Sequence, residues 1–513
     1  MRASLRDVAL LLGVLLPAAC TRLGPDFQPP GEPWAKTWDS PAIARASQRQ
    51  LNPDLRQWWR VFNDPTLDRL IAESDAHNSS LKIAGLRVME ARAQLGIAQS
   101  QRYPQLQQAS ADTLYAKRDQ SGGNNPQDSH FWQYSAGYDI GWELDFWGRF
   151  ARAIESADTG YFAAQANYED ALVLLRAQVA TTYFALRTTE ARLQVARENA
   201  AQQQRNLDIT EKLFASGQIA ELDVQQAKTQ YLGTSSSIPS LEDQAARTRN
   251  ALASLIGQPP GALPLRVEST GLIPLVDRAV LQDVPADLLL RRPDVRAAEL
   301  NVAAQSALIG VAESDLYPSL TLLGSIVWSA NSLSGTSNSL DLVGGPSLRW
   351  NLFDHGQIRN NVRVQDARLQ QLIEAYRDQV RQAAREADDA ATGLTKALER
   401  ERILRQAALA AQRSLVLANT WYREGYSDFQ RVLDAQSALL QQQDNYLISR
   451  SDAVSNLVAL YKALGGGWQN SQPVVDPKTR QQMERRSDWG DLLSHPTSAL
   501  PPPAAPIKVT DHD

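Results

Sequence analysis

Few residues in this chain of 513 are of the types that do covalent or metal chemistry, and their spacing withholds that chemistry. His77, His130, His355, His495 and His512 are scattered, and no two share the short separation of a metal site. Asp388 and Asp389 resemble a general acid–base pair, but adjacent helix positions point about 100° apart, so they read as a solvated face. No phosphate-binding loop, nucleophile elbow or dinucleotide glycine pattern occurs. Ser334-Gly335 and Gly122-Gly123 belong to turn-rich loops instead. Three methionines in all argue against a methionine-lined copper route. No catalytic residue, metal or cofactor is expected, which leaves passage through a pore as the function.

The single cysteine, Cys20, cannot form an intrachain disulfide. Arg2 and Arg6 precede an apolar run from Val8 to Leu16, too short to span a membrane but suited to a signal peptide. Ala18-Ala19 directly before Cys20 are similar to a lipoprotein signal, in which the cysteine becomes residue one and carries acyl chains. A formal charge of −5 and a pI near 5.7 remove any general case for nucleic-acid binding. No later segment has the ~20 apolar residues of a membrane helix, so a membrane crossing must use strands.

The chain is organised around Trp421–Gln436, WYREGYSDFQRVLDAQ, where a helical pattern enters, Gly425 interrupts it, and a second helical pattern leaves. Lys212–Gln226, KLFASGQIAELDVQQ, is its earlier counterpart, with Gly217 at the matching place. One separation relates Gly217 to Gly425, Trp142 to Trp350, Val224 to Val432 and Gly257 to Gly465, so the chain is an internal duplication. Each copy reads as strands, a very long helix, a glycine turn and a return helix. Both glycine turns therefore fall at one end of the molecule.

Alternation of period two marks the strands. Trp132, Tyr134, Ala136, Tyr138, Ile140, Trp142 and Leu144 interleave with Gln133, Ser135, Gly137, Asp139, Gly141 and Glu143. Leu320 to Trp328 and Leu340 to Leu352 repeat the pattern, and a weaker strand falls near Gln105–Lys117. A soluble sheet with one wet face would also alternate. Strands of about ten residues with aromatics toward their ends favour a membrane barrel. Four strands cannot close, and unpaired edges in lipid cost several kcal/mol per group, so the barrel must be shared between copies. The helices carry an alanine-rich seam: Ile154, Ala157, Tyr161, Ala164 and Tyr168 in one copy, Tyr376, Val380, Ala383, Ala387 and Ala390 in the other. That spacing predicts coiled-coil packing, with helices of roughly 90–100 Å forming a wet-centred tube.

These residues together resemble the outer-membrane factors of tripartite efflux systems, the TolC/NodT-like, OprM-like lipoproteins. The motifs are Cys20 followed by LGPDFQPP at Leu23–Pro30, Tyr103-Pro104 and Tyr317-Pro318, WELDFWGR at Trp142–Arg149 with WNLFDHGQ at Trp350–Gln357, LLLRRPDVRAAE at Leu288–Glu299, and VLDAQ at Val432–Gln436. The resemblance covers nearly the whole mature chain. It implies an α+β membrane protein: a homotrimer with a twelve-stranded β-barrel, four strands per chain, continued by a long α-helical coiled-coil barrel with a belt around its middle. Residues 1–19 are then a signal peptide, 20–75 a lipidated arm and equatorial region, and 76–257 the first repeat, with its hairpin at about 105–144. Residues 258–291 follow as a linker, 292–465 as the second repeat, with its hairpin at about 319–352, and 466–513 as an equatorial segment and disordered tail.

The implied partners are a periplasmic adaptor, a proton-driven inner-membrane pump and outer-membrane lipid, with the protein anchored in the outer membrane and reaching into the periplasm. The implied activity is passive export of drugs, solvents or similar small molecules; protein or metal export, or a non-conducting coiled-coil scaffold, stay open as alternatives. Gly217 and Gly425, with Ser216, Tyr426 and Ser427, are the expected adaptor-contact tips. Asp434, one turn from Gln430, is the expected periplasmic gate, with Asp223 linked to Tyr422 and Arg423 to hold it shut.

Overall fold

The computed structural model describes residues 22–30, 55–118, 129–261, 273–276, 291–330, 338–468, 473–493 and 501. Cys20, the signal segment and the tail beyond residue 501 lie outside the described residues. A 3-10 turn at Leu55–Phe62 leads into α1 (Pro65–His77) and α2 (Ser79–Ser100). The hairpin β1 (Leu106–Arg118) and β2 (Ser129–Leu144), the long helix α3 (Arg149–Ala215) and its return α4 (Glu221–Leu255) complete the first copy. The second copy runs α5 (Pro293–Ser314), β3 (Ser319–Ala330), β4 (Asn338–Arg349), α6 (Gln357–Arg423) and α7 (Gln430–Ala463). The short α8 (Pro477–Arg486) follows. Both long helices have 67 residues, about 100 Å at 1.5 Å per residue, and α2 and α5 have 22 each. No helix among the described residues is long and apolar enough to cross a membrane.

The two hairpins join into one antiparallel sheet of order β1-β2-β3-β4. Its register aligns the apolar rows: Tyr138 opposes Ile326, Ala136 opposes Trp328, Ile326 opposes Leu342 and Trp328 opposes Leu340. Since side chains alternate faces strictly, one face is Trp, Tyr, Leu and Ile across β2, β3 and β4, while Asp139, Ser325 and Ser329 lie on the other. β4 ends at Arg349, short of the alternation that the sequence carries to Leu352. The reason lies just beyond the strand: the Trp350 indole N–H donates to the Leu316 carbonyl (3.0 Å), and the Asp354 carboxylate accepts from the Gly356 and Ile358 amides to start α6. Trp142 does the same in the first copy, donating to the Arg102 carbonyl at 3.2 Å. Each aromatic girdle residue thus pins the end of a helix to the base of the sheet.

The helical wall is one layer thick and built from two quasi-continuous columns. α4 ends in Gly257 at φ 71 and meets the start of α2, where the Asn78 side-chain amide donates to the Leu255 carbonyl at 2.9 Å. α7 ends in Gly465 at φ 67 and meets the start of α5, where Arg292 donates to the Ala463 carbonyl at 2.9 Å. A Cβ on Gly257 would lie 2.6 Å from the His77 carbonyl oxygen, so glycine is required at this join both by conformation and by space. Of the expected seam, Ala383, Ala387 and Ala390 of α6 and Tyr161 and Tyr168 of α3 are buried, whereas Ala157 and Ala164 are half-buried; α3 buries Ala163, Ala166, Ala177 and Ala180 instead, small residues that let the wall helices approach closely. A belt core of Trp58, Trp59, Phe62, Leu67, Leu70 and Ile71 packs on one side of this wall against Tyr168, Leu172, Leu175, Tyr183 and Tyr461.

Candidate functional site

The glycine turns reverse the two helix hairpins at one end of the wall. At the end of α3, the Gly217 amide donates to the Phe214 carbonyl and the Gln218 amide to the Leu213 carbonyl, both at 2.9 Å. At the end of α6, Gly425 and Tyr426 donate in the same way to Tyr422 and Trp421, at 3.1 and 2.9 Å. This is the Schellman pattern, in which a residue at positive φ lets the carbonyls of the last helical turn be satisfied; φ is 73 at Gly217 and 79 at Gly425. Ser216, Gly217 and Gly425 are exposed, Tyr426 is 81% exposed, and Ser427 is half-buried. One apolar cluster, with Leu207 and Val224 from the first hairpin and Leu415, Phe429, Val432 and Leu433 from the second, ties the two tips side by side.

Gln430 and Asp434 face solvent on α7 while Val432 and Leu433 are buried behind them. The Gln430 amide donates to the Asp434 carboxylate at 2.8 Å, so the pair forms one hydrogen-bonded unit. Arg431 pairs instead with Asp428 at 3.9 Å. Asp223 stands in the first turn of α4, whose N-cap is Ala220, and its side chain makes no capping bond. The Tyr422 ring lies 5.3 Å from that of Phe429. Partial burial and the Asp223 charge push its phenol up. The structure thus brings Asp223 and Tyr422 within electrostatic reach. The Arg423 Nε is held by the Asn419 carbonyl of its own helix at 3.2 Å.

Sequence reasoning missed a set of buried arginines that fix the wall to its surroundings. Arg152 donates to the Leu23 and Gly24 carbonyls and to Asp26 (2.8 Å), strapping the LGPDF segment across the start of α3. Gly24, at φ 82, lies so close to Gly310 of α5 that a Cβ on either would meet backbone. The Leu23 amide donates to the Trp147 carbonyl at 3.2 Å, which places the arm at the base of the sheet. Arg176 pairs with Asp75 and Arg187 with Glu190. Their only sequence signal was position, since Arg176 interrupts the apolar stripe Leu172, Leu175, Val179.

A one-layer helical wall carrying a sheet with an apolar face and unpaired edges at β1 and β4 is one subunit of a membrane-spanning duct that closes only by association. The chain belongs to the outer membrane efflux protein family, whose profile matches residues 70–258 and 284–466. It is 30% identical to the pyoverdine export outer membrane protein OpmQ of Pseudomonas putida, over 85% of this chain and 93% of the relative. It is 28% identical to the probable outer membrane lipoprotein SilC of Salmonella typhimurium, over 89% and 97%. Among solved structures it superposes on the outer-membrane channel OprN with a TM-score of 0.80 and 33% identity, covering 87% of this chain and all of that one. The protein is thus a passive outer-membrane efflux channel and not an enzyme. Members of its family are trimeric and work with periplasmic adaptors and inner-membrane pumps.

Proposed function

We propose that the chain is the gated exit duct for small organic solutes delivered by a proton-driven pump, with its gate at the α7 tip and its adaptor contacts at the two glycine turns. The observation that carries this reading is the exposed Gln430–Asp434 unit, backed by buried Val432 and Leu433, at the end where both hairpins turn. Around a threefold axis each such residue becomes a ring of three. Three carboxylates at close range repel one another and attract cations, and Gln430 makes the constriction polar. In this reading Asp223 links the two hairpins through Tyr422, whose phenol its charge pushes up, and through Arg423, whose Nε rests on the Asn419 carbonyl. A charge-assisted contact of roughly 1.5–3 kcal/mol is small enough for a docked adaptor to break. Single-channel recording tests the gate: Asp434→Ala should lose cation preference, and Asp223→Ala with Tyr422→Phe should raise the open fraction. Equal conductance and selectivity in all three proteins would place the gate elsewhere.

Small organic cargo is in keeping with the relative named for pyoverdine export. Lipid anchoring at Cys20 follows from the apolar run before it, the arm strapped to the base of the sheet, and the likeness to a protein named an outer membrane lipoprotein. One acyl chain binds marginally and several anchor firmly. Mass spectrometry of the mature N-terminus should find an acylated Cys20. A mature chain that begins elsewhere, with a free thiol at Cys20, would refute the anchor.

A further inference from the structure

The join between α7 and α5 leaves a recess of about 200 Å³ in the wall, bounded by Asp170, Val173 and Leu174 of α3, Asp294 of α5, Glu386 of α6 and Lys462 of α7. Two kinds of charge meet there. Arg292 is saturated: it donates to both Asp294 oxygens, at 3.0 and 2.7 Å, to Glu386 at 3.0 Å and to the Ala463 carbonyl. The Gln379 amide completes Asp294 at 2.7 Å. Asp170 and Lys462 are half-buried, and neither makes a side-chain hydrogen bond or ion pair with any described residue. Burial pushes the Asp170 carboxyl up to about 6; Asp294 adds to this, Arg292 and Lys462 oppose it, and Glu386 adds a little more. Three carboxylates against two cations leave the recess one negative charge in excess.

The helix faces show which way the recess opens. Tyr168, Leu172 and Leu175 of α3 pack into the belt core, as Tyr461 of α7 does by stacking on Trp58 at 5.3 Å. Asp170 and Leu174 lie two residues round from Tyr168 and Leu172, about 200° away at 100° per residue. They therefore point away from those belt contacts, to the face that lines the bore in the duct reading of the chain. Leu174 is 46% exposed there, and with Val173 and Pro293 gives the recess an apolar rim.

We propose that this recess is a cation-accepting station in the bore, one per subunit, for cargo that carries an ammonium group on an apolar body. The Asp170 carboxylate takes the ammonium and the Leu174 rim the apolar part, while unpaired Lys462 keeps the hold weak enough for release, as a conduit requires. The cargo assignment rests on the reading of the chain as an efflux duct. The site itself is tested by binding, which does not depend on conduction.

Benzyltrimethylammonium should bind the purified full-length trimer saturably in calorimetry, with three sites per trimer at pH 7.5. Binding should weaken about tenfold, the equivalent of roughly 1.4 kcal/mol, as pH falls to 5 and Asp170 takes a proton. Asp170→Asn, nearly isosteric, should show the weak binding at both pH values. Lys462→Met should bind more tightly than wild type, an opposite sign that loss of fold cannot mimic. Leu174→Ser should weaken benzyltrimethylammonium but leave tetramethylammonium unchanged. Absence of saturable binding to wild type, or equal affinity in wild type, Asp170→Asn and Lys462→Met, overturns the proposal. Failure of the duct reading would show separately, as wild-type protein that is silent in planar bilayers.

Discussion

Tryptophan at Gly217 or at Gly425 is expected to abolish export while leaving the trimer assembled and inserted. Both glycines hold positive φ, and a Cβ at either would meet nothing within 4 Å. The cost inside one subunit is therefore the left-handed backbone alone, about 1–2 kcal/mol for an L-residue. The apolar cluster beneath the tips, around Leu207, Val224, Leu415 and Val432, is untouched by such a change. What the indole does block is close approach of another helical tip to Ser216, Tyr426 and Ser427. Susceptibility of cells to exported compounds, measured beside trimer content of the outer membrane, separates the two effects. Full resistance in both variants would mean that the adaptor docks on another surface.

Arg176→Met should be the most destabilising single change in the belt, by about 3–5 kcal/mol, the cost of breaking a buried ion pair. Arg176 and Asp75 are 5% and 7% exposed and meet at 2.6 Å. The same guanidinium also donates to the Gly467 carbonyl and sits 5.1 Å over the Trp59 ring. Removing it leaves the largely buried Asp75 charge without its ion-pair partner. Adding Asp75→Asn to Arg176→Met should recover most of the loss, because the stranded charge is then gone. Thermal unfolding of wild type, both single variants and the double variant measures this coupling. A single-variant loss below ~1 kcal/mol would mean that the belt does not depend on the pair.

The belt and the tips differ in how far their residues could be understood before folding. Period-two alternation from Trp132 to Leu144 was enough to assign a strand and its apolar face, because a strand's side chains have no choice but to alternate. Gly217 and Gly425 were likewise legible as helix ends, since the left-handed conformation they adopt is a local property of glycine. The matched copies fixed the order of elements and put both tips at one end. For the strand and the turns the signal lies within a few residues of the structure it specifies.

Tertiary structure alone decided which polar groups found partners. Nothing within a turn of Arg152, Arg176 or Arg292 announces Leu23, Asp75 or Ala463 as an acceptor. The same holds for the pairing of β2 with β3 that merges two hairpins, and for the columns in which α4 meets α2 and α7 meets α5. Arg423, assigned from sequence to Asp223, rests on Asn419. The sequence by itself determined periodicity and turns, which depend on neighbours along the chain, and the duplication, which needs only the comparison of one stretch with another. The packed structure determined the belt, the recess at Asp170 and the long-range partners of buried charge, because an unpaired buried charge costs several kcal/mol and a partner such as Asp75 lies 101 residues from Arg176 along the chain.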